Sequence, residues 1–248
     1  MFIDSHLHVG QYYHIYTSPT DLLRMMDRVG VDRFAVSSTS ICEGDYGKVL
    51  DEMQELARIA EGRLFPVLWI VPDMLNDEGL ERCLECGVQW RCVKIHPQLH
   101  PFSWQAGSKN LRRVVSLARE MRLPILIHTG EIDGCFPHLF REAIADNPSV
   151  TFILAHARPL DETIELMKAY KNVWADTAFV PAPNVVQLCE EGLSDRIMWG
   201  TDYPIPQYYF PEKDMEKYYK ELVGDLKSAV CAEDYERITY KNFLRCYG

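Results

Sequence analysis

An apolar run that closes on a histidine, Pro124-Ile125-Leu126-Ile127-His128, has the length and the β-branched content of a buried strand. Similar runs recur along the chain, and segments with helical spacing or helix-capping residues lie between them. The predicted strands cover residues 2–6, 33–37, 64–70, 91–95, 124–128, 150–155, 172–176 and 196–199. The predicted helices cover residues 19–28, 48–61, 77–86, 109–121, 137–146, 160–170 and 183–191, with further helical segments from Pro211 onward. Strand and helix therefore alternate throughout.

This alternation predicts a parallel sheet with right-handed crossovers. A (β/α)8 barrel typically needs about 250 residues, and the chain has 248. No linker-like or charge-rich stretch divides it. We therefore expect an α/β fold, a (β/α)8 TIM barrel, that forms a single domain over residues 1–248.

Composition narrows the choice of partners. The chain carries 26 Lys and Arg against 36 Asp and Glu, a formal net charge of -10, which repels phosphate backbones and anionic lipids. No stretch approaches the roughly 18 apolar residues of a membrane span, and 8 cysteines are too sparse for a disulfide scaffold. We expect a cytoplasmic protein with reduced thiols and a small-molecule substrate, without a nucleic-acid or membrane partner. The sequence leaves a homo-oligomer open.

Polar side chains follow five of the predicted strands at the point where each strand ends. They are His6 and His8, Lys94 and His96, His128, His156, and Asp202. In parallel barrels the chemistry is built at the carboxyl ends of the strands, which lie on one rim. The sequence therefore predicts a functional site at that rim.

The residue types at the rim indicate a metal site. His6 and His8 are two apart, so a strand directs both imidazoles to one face. Imidazole suits Zn and other transition metals, and a catalytic site keeps about three protein ligands and an open position. His128 and Asp202 can complete the set. Such a metal would activate water and polarise a carbonyl, with Asp202 as the base.

Each rim residue also has a purely structural interpretation. A single histidine at a strand end is more often a hydrogen-bonded core residue than a ligand, whereas several on one rim favour a site. Asp202 is equally compatible with a turn residue. Lys94 is equally compatible with a salt bridge to Asp4 or Asp176, because an unpaired buried ammonium is costly. His96 shares the strand face of Lys94 and could donate a hydrogen bond to the site.

Taken together, these motifs resemble those of the amidohydrolase superfamily of metal-dependent barrels, in its amidohydrolase-2 branch. The similarity extends over essentially the whole chain, and each motif falls at the expected strand. It rests on Asp4-Ser5-His6-Leu7-His8, Val93-Lys94-Ile95-His96-Pro97, Leu126-Ile127-His128-Thr129-Gly130, Leu154-Ala155-His156, Trp199-Gly200-Thr201-Asp202-Tyr203-Pro204 and Asn242-Phe243-Leu244-Arg245.

The resemblance implies a ligand set for one divalent metal: His6, His8, His128 and Asp202. Zn is the first candidate, with Mn or Fe as alternatives. His156 is then either a ligand of a second metal or a general acid or base that contacts substrate. Lys94 stands where binuclear relatives carry a carboxylated lysine between two metals, although many single-metal members keep this motif. One or two ions are therefore expected.

The resemblance leaves the reaction open. The leading expectation is hydrolysis of an amide, lactone or ester of a small organic substrate by metal-activated water. The second is metal-dependent, non-oxidative decarboxylation of a small carboxylic acid, because the branch contains decarboxylases. The third is a catalytically inactive binding barrel. Dihydroorotase itself is disfavoured, because Val9 stands where dihydroorotase-like enzymes place an arginine after the His-x-His motif.

The loops expected above the rim are rich in aromatic residues. Tyr12 and Trp104 are expected to line a substrate pocket, although long loops also bury aromatic side chains as small cores of their own. Arg158, two residues past His156, is expected to bind a substrate carboxylate, with a surface ion pair as the alternative. His96 completes the predicted substrate-binding residues.

Overall fold

The computed structural model describes residues 1–248, apart from the side chain of Asp77. The strands are β1 (Ile3–Tyr12), β2 (Ile15–Thr17), β3 (Arg33–Ser38), β4 (Leu64–Trp69), β5 (Cys92–Ile95), β6 (Ile125–His128), β7 (Phe152–Ala155), β8 (Val173–Asp176) and β9 (Ile197–Met198). The helices are α1 (Pro19–Val29), α2 (Tyr46–Ile59), α3 (Asp77–Glu85), α4 (Lys109–Met121), α5 (Arg141–Asp146), α6 (Leu160–Ala169), α7 (Ala182–Glu190), α8 (Ile205–Tyr209), α9 (Met215–Ala229), α10 (Ala232–Glu236) and α11 (Asn242–Tyr247). The predicted alternation of strands and helices is confirmed.

The strands form one sheet in the order β2-β1-β3-β4-β5-β6-β7-β8-β9. Only the β1–β2 pair is antiparallel; every other neighbouring pair is parallel. Strand β2 was not predicted, since no Gly, Pro, Asn or Asp marks the turn between it and β1. The turn instead contains Tyr13 in the left-handed region, at φ 50°.

The sheet is curled, so its last strand returns to its first. Backbone hydrogen bonds of 2.8 Å join Ser5 N to Trp199 O, Asp202 N to His6 O, and His8 N to Tyr203 O. The sheet nevertheless differs from the predicted (β/α)8 barrel. It has nine strands, and within the described residues β9 is only two residues long and forms no ladder with β1. The segment after β9 adds a single bridge to β1, Leu7–Tyr203.

The helices cover the outside of the sheet with one apolar face each. In α1 the buried side chains include Leu22, Met25 and Met26, at the three- and four-residue spacing of one helix face. Ser18 caps this helix by accepting a hydrogen bond from Asp21 N. The helix predicted over residues 137–146 is split into a 3₁₀ turn, Pro137–Phe140, and α5. No helix among the described residues is both long enough and apolar enough to cross a membrane.

A separate apolar cluster fills the inside of the curled sheet near the amino ends of the strands. Its strand members are Ile3, Ala35, Val67, Cys92, Leu126, Ile153, Ala155, Trp174 and Met198, packed against Phe243 and Tyr247 of α11. Strand side chains alternate faces, so the residue two positions further along points inward as well. Lys94, His128 and Asp176 each stand two residues after a member of this cluster. The fold therefore places these three polar side chains directly above the apolar cluster.

We expect substitution of Gly10 to be far more costly than substitution of a less crowded glycine. Gly10 has φ 94°, and a Cβ there would lie 2.5 Å from Ser40 Oγ and 2.8 Å from Glu52 Oε2. Gly30 has φ 74° with nothing nearby. Gly30→Ala should cost about 1–2 kcal/mol for the left-handed backbone, and Gly10→Ala a further 1–3 kcal/mol for overpacking. Urea unfolding of both variants measures the difference; equal losses would contradict it.

Candidate metal centre

Three side chains meet where β1 and the segment after β9 lie side by side. Asp202 Oδ1 lies 2.9 Å from His8 Nε2 and 3.3 Å from His6 Nε2. All three residues are buried, and one ligand atom from each lies within 4.8 Å of the others, so the group could hold a metal ion. His6 and His8 lie on one face of β1, as their two-residue spacing predicts. Asp202 joins them from the other end of the chain.

The second nitrogen of each imidazole is held by the protein. His6 Nδ1 lies 3.0 Å from Asp176 Oδ2. His8 Nδ1 lies 3.3 Å from the carbonyl oxygen of Ser37 and 3.0 Å from its hydroxyl. Metal-binding histidines usually have their far nitrogen fixed by a carboxylate or carbonyl in this way, which orients the ring and selects its tautomer. The arrangement therefore fits a metal at the Nε2 side.

Asp176 also belongs to a second group that could hold a metal, with His6 and His156. Sequence reasoning considered Asp176 only as a partner for Lys94. Its position could have indicated more, because it closes the apolar strand β8 as His128 closes β6. Its Oδ1 accepts hydrogen bonds from His156 N at 3.0 Å and Ala178 N at 3.1 Å. Asp176 thus ties together the ends of three strands.

His128 lies beside these groups and belongs to neither of them. Its Nδ1 is 3.0 Å from His156 Nε2. Its ring stacks on His96 at 3.7 Å between centroids, and His96 in turn stacks on Trp69 at 5.2 Å. His128 is therefore the last of three stacked rings, Trp69, His96 and His128, and lies beside His156.

Lys94 points at the two histidines of β1. Its Nζ lies 3.0 Å from His6 Nε2 and 3.3 Å from His8 Nε2, and 4.4 Å from the centroid of the Trp69 ring. Among the described residues, no salt bridge joins Lys94 to Asp4 or Asp176. Lys94 instead contacts the two histidines of β1. Burial lowers the pKa of Lys94, although nearby Asp202 and Asp176 raise it.

The ionisation states favour metal binding. Burial, reinforced by the charge of Lys94, lowers the pKa of His8 to about 3, and burial lowers that of His156 to about 4. The pKa values of His96 and His128 are lowered for the same reason. Burial raises the pKa of Asp202, but the neighbouring histidines outweigh it and leave the value below normal. Neutral imidazoles and an ionised carboxylate are the forms that bind divalent metals.

A cavity of about 470 Å³ opens above these groups. It is lined by His8, Lys94, His96, His128, His156 and Asp202, together with Tyr12, Thr39, Trp69, Gln98, Arg158, Phe179, Ile205, Tyr209 and Phe210. Of the predicted substrate-binding residues, Arg158, His96 and Tyr12 line this cavity. Trp104 does not: it is buried in the loop after β5 and faces a different cavity beside Gly134 and Phe136. Trp104 packs instead in the main apolar core, so neither a pocket wall nor a separate loop core describes it.

The Arg158 side chain is 41% exposed, and its Nε lies 4.0 Å from Glu131 Oε2. That distance exceeds the hydrogen-bonding range, and the buried Nε has no hydrogen-bond partner within the part of the chain that the structure describes. The surface ion pair that was the alternative for Arg158, here with Glu131, is therefore not hydrogen-bonded through Nε. The guanidinium retains donors for a ligand in the cavity.

Backbone strain is concentrated around the cavity. His156, Asp202 and Phe179 have φ values of 70°, 61° and 60°, a region that is costly for residues other than glycine and that clusters at functional sites. Asp202 is indeed a turn residue, since its carbonyl accepts a hydrogen bond from Ile205 N at 2.8 Å. Its side chain still faces both histidines, so the turn and ligand interpretations are compatible.

A family model described as Amidohydrolase matches residues 3–248. No curated protein matches the chain significantly. The predicted resemblance, which was based on ordered strand-end motifs, is confirmed by this match over nearly the whole chain.

Solved structures share the fold at low sequence identity. An uncharacterised TIM-barrel protein from Bordetella bronchiseptica has a TM-score of 0.74 at 15% identity, covering 99% of this chain and 97% of its own. A probable 2-pyrone-4,6-dicarboxylic acid hydrolase from Acinetobacter baumannii, with citric acid bound, has a TM-score of 0.71 at 13% identity, covering 100% and 99%. The 4-oxalomesaconate hydratase of Rhodopseudomonas palustris has a TM-score of 0.65 at 15% identity, covering 100% and 95%.

Proposed function

This chain belongs to the amidohydrolase family, and from that premise we propose that it is a metal-dependent hydrolase of a small organic substrate. The proposal treats residues 1–248 as one domain and the curled sheet as a closed (β/α)8 barrel, supported by the three hydrogen bonds between β1 and the segment after β9. The observation that carries the function is the convergence of His6 Nε2, His8 Nε2 and Asp202 Oδ1 below the cavity. A cytoplasmic location is part of the proposal and rests on composition.

We assign the metal to His6, His8, His128 and Asp202, with Zn as the first candidate and Mn or Fe as alternatives. Lys94 and His156 are available for a second ion. A bound divalent ion supplies Lewis-acid polarisation of a substrate carbonyl and acidifies water. The donor set fits such an ion because it combines imidazoles with a carboxylate, and because Asp176 and Ser37 orient the two rings.

Asp202 is the proposed general base. Its carboxylate is ionised, lines the cavity and lies against His8, so it can accept the proton that an attacking water loses. His156 is the proposed second acid or base. It also lines the cavity, and its Nδ1 lies 3.2 Å from the carbonyl of Ala178, which fixes the ring. Low exposure of these groups strengthens their electrostatic effect on a bound substrate.

The substrate is proposed to carry a carboxylate that binds Arg158, with Tyr12 and His96 contacting the rest of the molecule. Trp104 is left out, because it does not line the cavity. The hydrolase from Acinetobacter baumannii is named for a dicarboxylic acid and has citric acid bound, which agrees with a carboxylate-bearing substrate. Aromatic walls formed by Tyr12, Phe179, Tyr209 and Phe210 suit a flat or apolar substrate body.

The test is a substrate panel of lactones, esters, amides and aromatic carboxylic acids, with metal-reconstituted wild-type protein and Asp202→Asn as the inactive control. Hydrolysis is followed by acid release and decarboxylation by CO₂ release on the same samples. Hydrolysis that requires metal and Asp202 supports the proposal. CO₂ release without hydrolysis would replace it with the decarboxylase alternative, and binding without turnover would favour the inactive binding barrel.

We expect Arg158→Ala to raise KM for a carboxylate substrate by roughly 10- to 100-fold, the value of a hydrogen bond to a charged group, with a smaller effect on kcat. The reason is that Arg158 lines the cavity but is not one of the proposed metal ligands. Steady-state kinetics on the acid and on its methyl ester measure the effect. The exposed Arg24→Ala on α1 is the matched control. An equal KM increase for the ester would contradict a role in carboxylate binding.

A further inference from the structure

A completely buried carboxylate lies just behind the proposed metal ligands. Asp4 is on β1, two residues before His6, and has no exposed surface. Its Oδ1 accepts hydrogen bonds from His6 N at 3.0 Å and Thr201 N at 3.3 Å. Its Oδ2 accepts hydrogen bonds from Thr201 Oγ1 at 2.6 Å and Tyr219 Oη at 2.8 Å. All four hydrogen bonds come from the protein itself.

These hydrogen bonds join the two segments that carry the ligands. His6 belongs to β1, whereas Thr201 directly precedes Asp202 in the turn after β9. The backbone hydrogen bond from Asp202 N to His6 O, at 2.8 Å, adds a further link between the same two segments. Asp4 therefore restrains the distance between His6 and Asp202. Metal affinity depends on that separation, because coordination tolerates only small errors in ligand distance.

Tyr219 is the member of this network that comes from outside the sheet. It lies on α9 and is only 2% exposed. It does not line the cavity above the proposed ligands. Its hydroxyl supplies one of the two hydrogen bonds to Asp4 Oδ2, so its removal would leave that oxygen with Thr201 alone. When a buried carboxylate oxygen loses a hydrogen-bond donor, its desolvation is no longer fully compensated. The carboxylate is then expected to rotate toward its remaining donors.

We propose that Tyr219 is a positioning residue for the metal centre: through Asp4 it fixes the spacing of His6 and Asp202, and thereby sets metal affinity without touching metal or substrate. The inference rests on the proposed function, since it needs these residues to bind a metal. A purely structural Tyr219 would only anchor α9 to the sheet. It would then affect unfolding and leave the metal site unchanged.

The test compares Tyr219→Phe with Tyr247→Phe, using Co²⁺ as the probe. Tyr247 is the matched control, because it is 4% exposed and its buried hydroxyl lies beside Cys92 instead of Asp4. It packs on Phe243 at the other end of the sheet interior. Chelator competition gives the Co²⁺ affinity, the visible spectrum reports ligand geometry, and thermal unfolding of the metal-free proteins reports stability.

We expect Tyr219→Phe to weaken Co²⁺ binding by about tenfold, the lower end of the range for outer hydrogen-bonding partners of a metal site, and to shift the Co²⁺ spectrum. Tyr247→Phe should change neither. Thr201→Val, which removes the other hydroxyl from Asp4 Oδ2, should act in the same direction and serves if Tyr219→Phe does not fold.

A lowered unfolding temperature with wild-type affinity and spectrum would overturn the positioning role while leaving the proposed function intact. Equal loss of affinity in Tyr247→Phe would overturn it as well. Wild-type protein that binds no Co²⁺ would overturn the proposed function and this inference with it. The two failures are therefore distinguishable from the same set of samples.

Discussion

Asp202→Asn is expected to lower turnover per bound metal by more than the roughly 10²- to 10⁴-fold that loss of a general base costs. The substitution removes the charge and the proton-accepting oxygen but keeps the shape of the side chain. The orientation of the attacking water is lost together with the base, which is why the effect should exceed that range. The rate is measured on any substrate found in the panel and divided by metal content.

Asp195→Asn is the control for this variant, because it removes the same charge at the opposite end of β9, where Asp195 is half exposed. It should leave turnover unchanged. Metal retention in Asp202→Asn should be only partly reduced, since His6, His8 and His128 still offer three imidazoles, the usual protein complement of a catalytic zinc site. If the mutant kept more than about a tenth of wild-type turnover per metal, well outside the expected loss, the base would lie elsewhere, with His156 next.

His8→Ala should abolish stable metal binding. His8 Nε2 is the nitrogen nearest to Asp202, at 2.9 Å, and its ring is held from behind by Ser37. Loss of a direct ligand should cost more than the roughly 10- to 100-fold that loss of an outer partner costs. Metal content after dialysis against a weak chelator measures this. His138→Ala is the control, since His138 is 51% exposed and paired with Glu162; equal metal loss in both variants would contradict the assignment of His8.

Much of the fold could be predicted because short apolar runs and helix caps are local signals. Helix α4 occupies the predicted residues 109–121, and β6 lies within the predicted 124–128. The hairpin strand β2 was missed because the turn at Tyr13 contains none of the usual turn residues. The split of the helix predicted over 137–146 was missed because the 3₁₀ turn and α5 share one apolar pattern.

The candidate site could be predicted as far as the alternation of strand side chains allows. Period two places His6, His8, Lys94, His128 and Asp176 inside the sheet. The alternation cannot predict which side-chain atoms contact each other, because the distances between these atoms depend on side-chain rotamers and on the stagger of the strands. For this reason the sequence grouped His128 with His6 and His8 but could not indicate that Asp176 contacts His6 or that His128 stacks on His96.

Contacts between distant residues that do not stand at strand ends could not be predicted from the sequence. The hydrogen bond from Tyr219 to Asp4 joins residues 215 positions apart, and no local pattern reports it. The same holds for Trp104, whose aromatic loop suggested a pocket wall but which turned inward to a separate cavity. A loop residue's burial depends on the loops around it, and one sequence does not specify their packing.

Metal analysis of the wild-type protein tests the central claim most directly. The protein is expressed in medium supplemented with Zn, Mn and Fe and dialysed against metal-free buffer. Its metal content is then measured by elemental mass spectrometry alongside that of a His6→Ala, His8→Ala double variant. We expect one or two equivalents of a transition metal in the wild type and a near-complete loss in the double variant, because two imidazoles of the proposed ligand set are gone. Wild-type protein that stays metal-free, or a double variant that retains the wild-type metal content, would contradict the assignment of this rim as a metal centre.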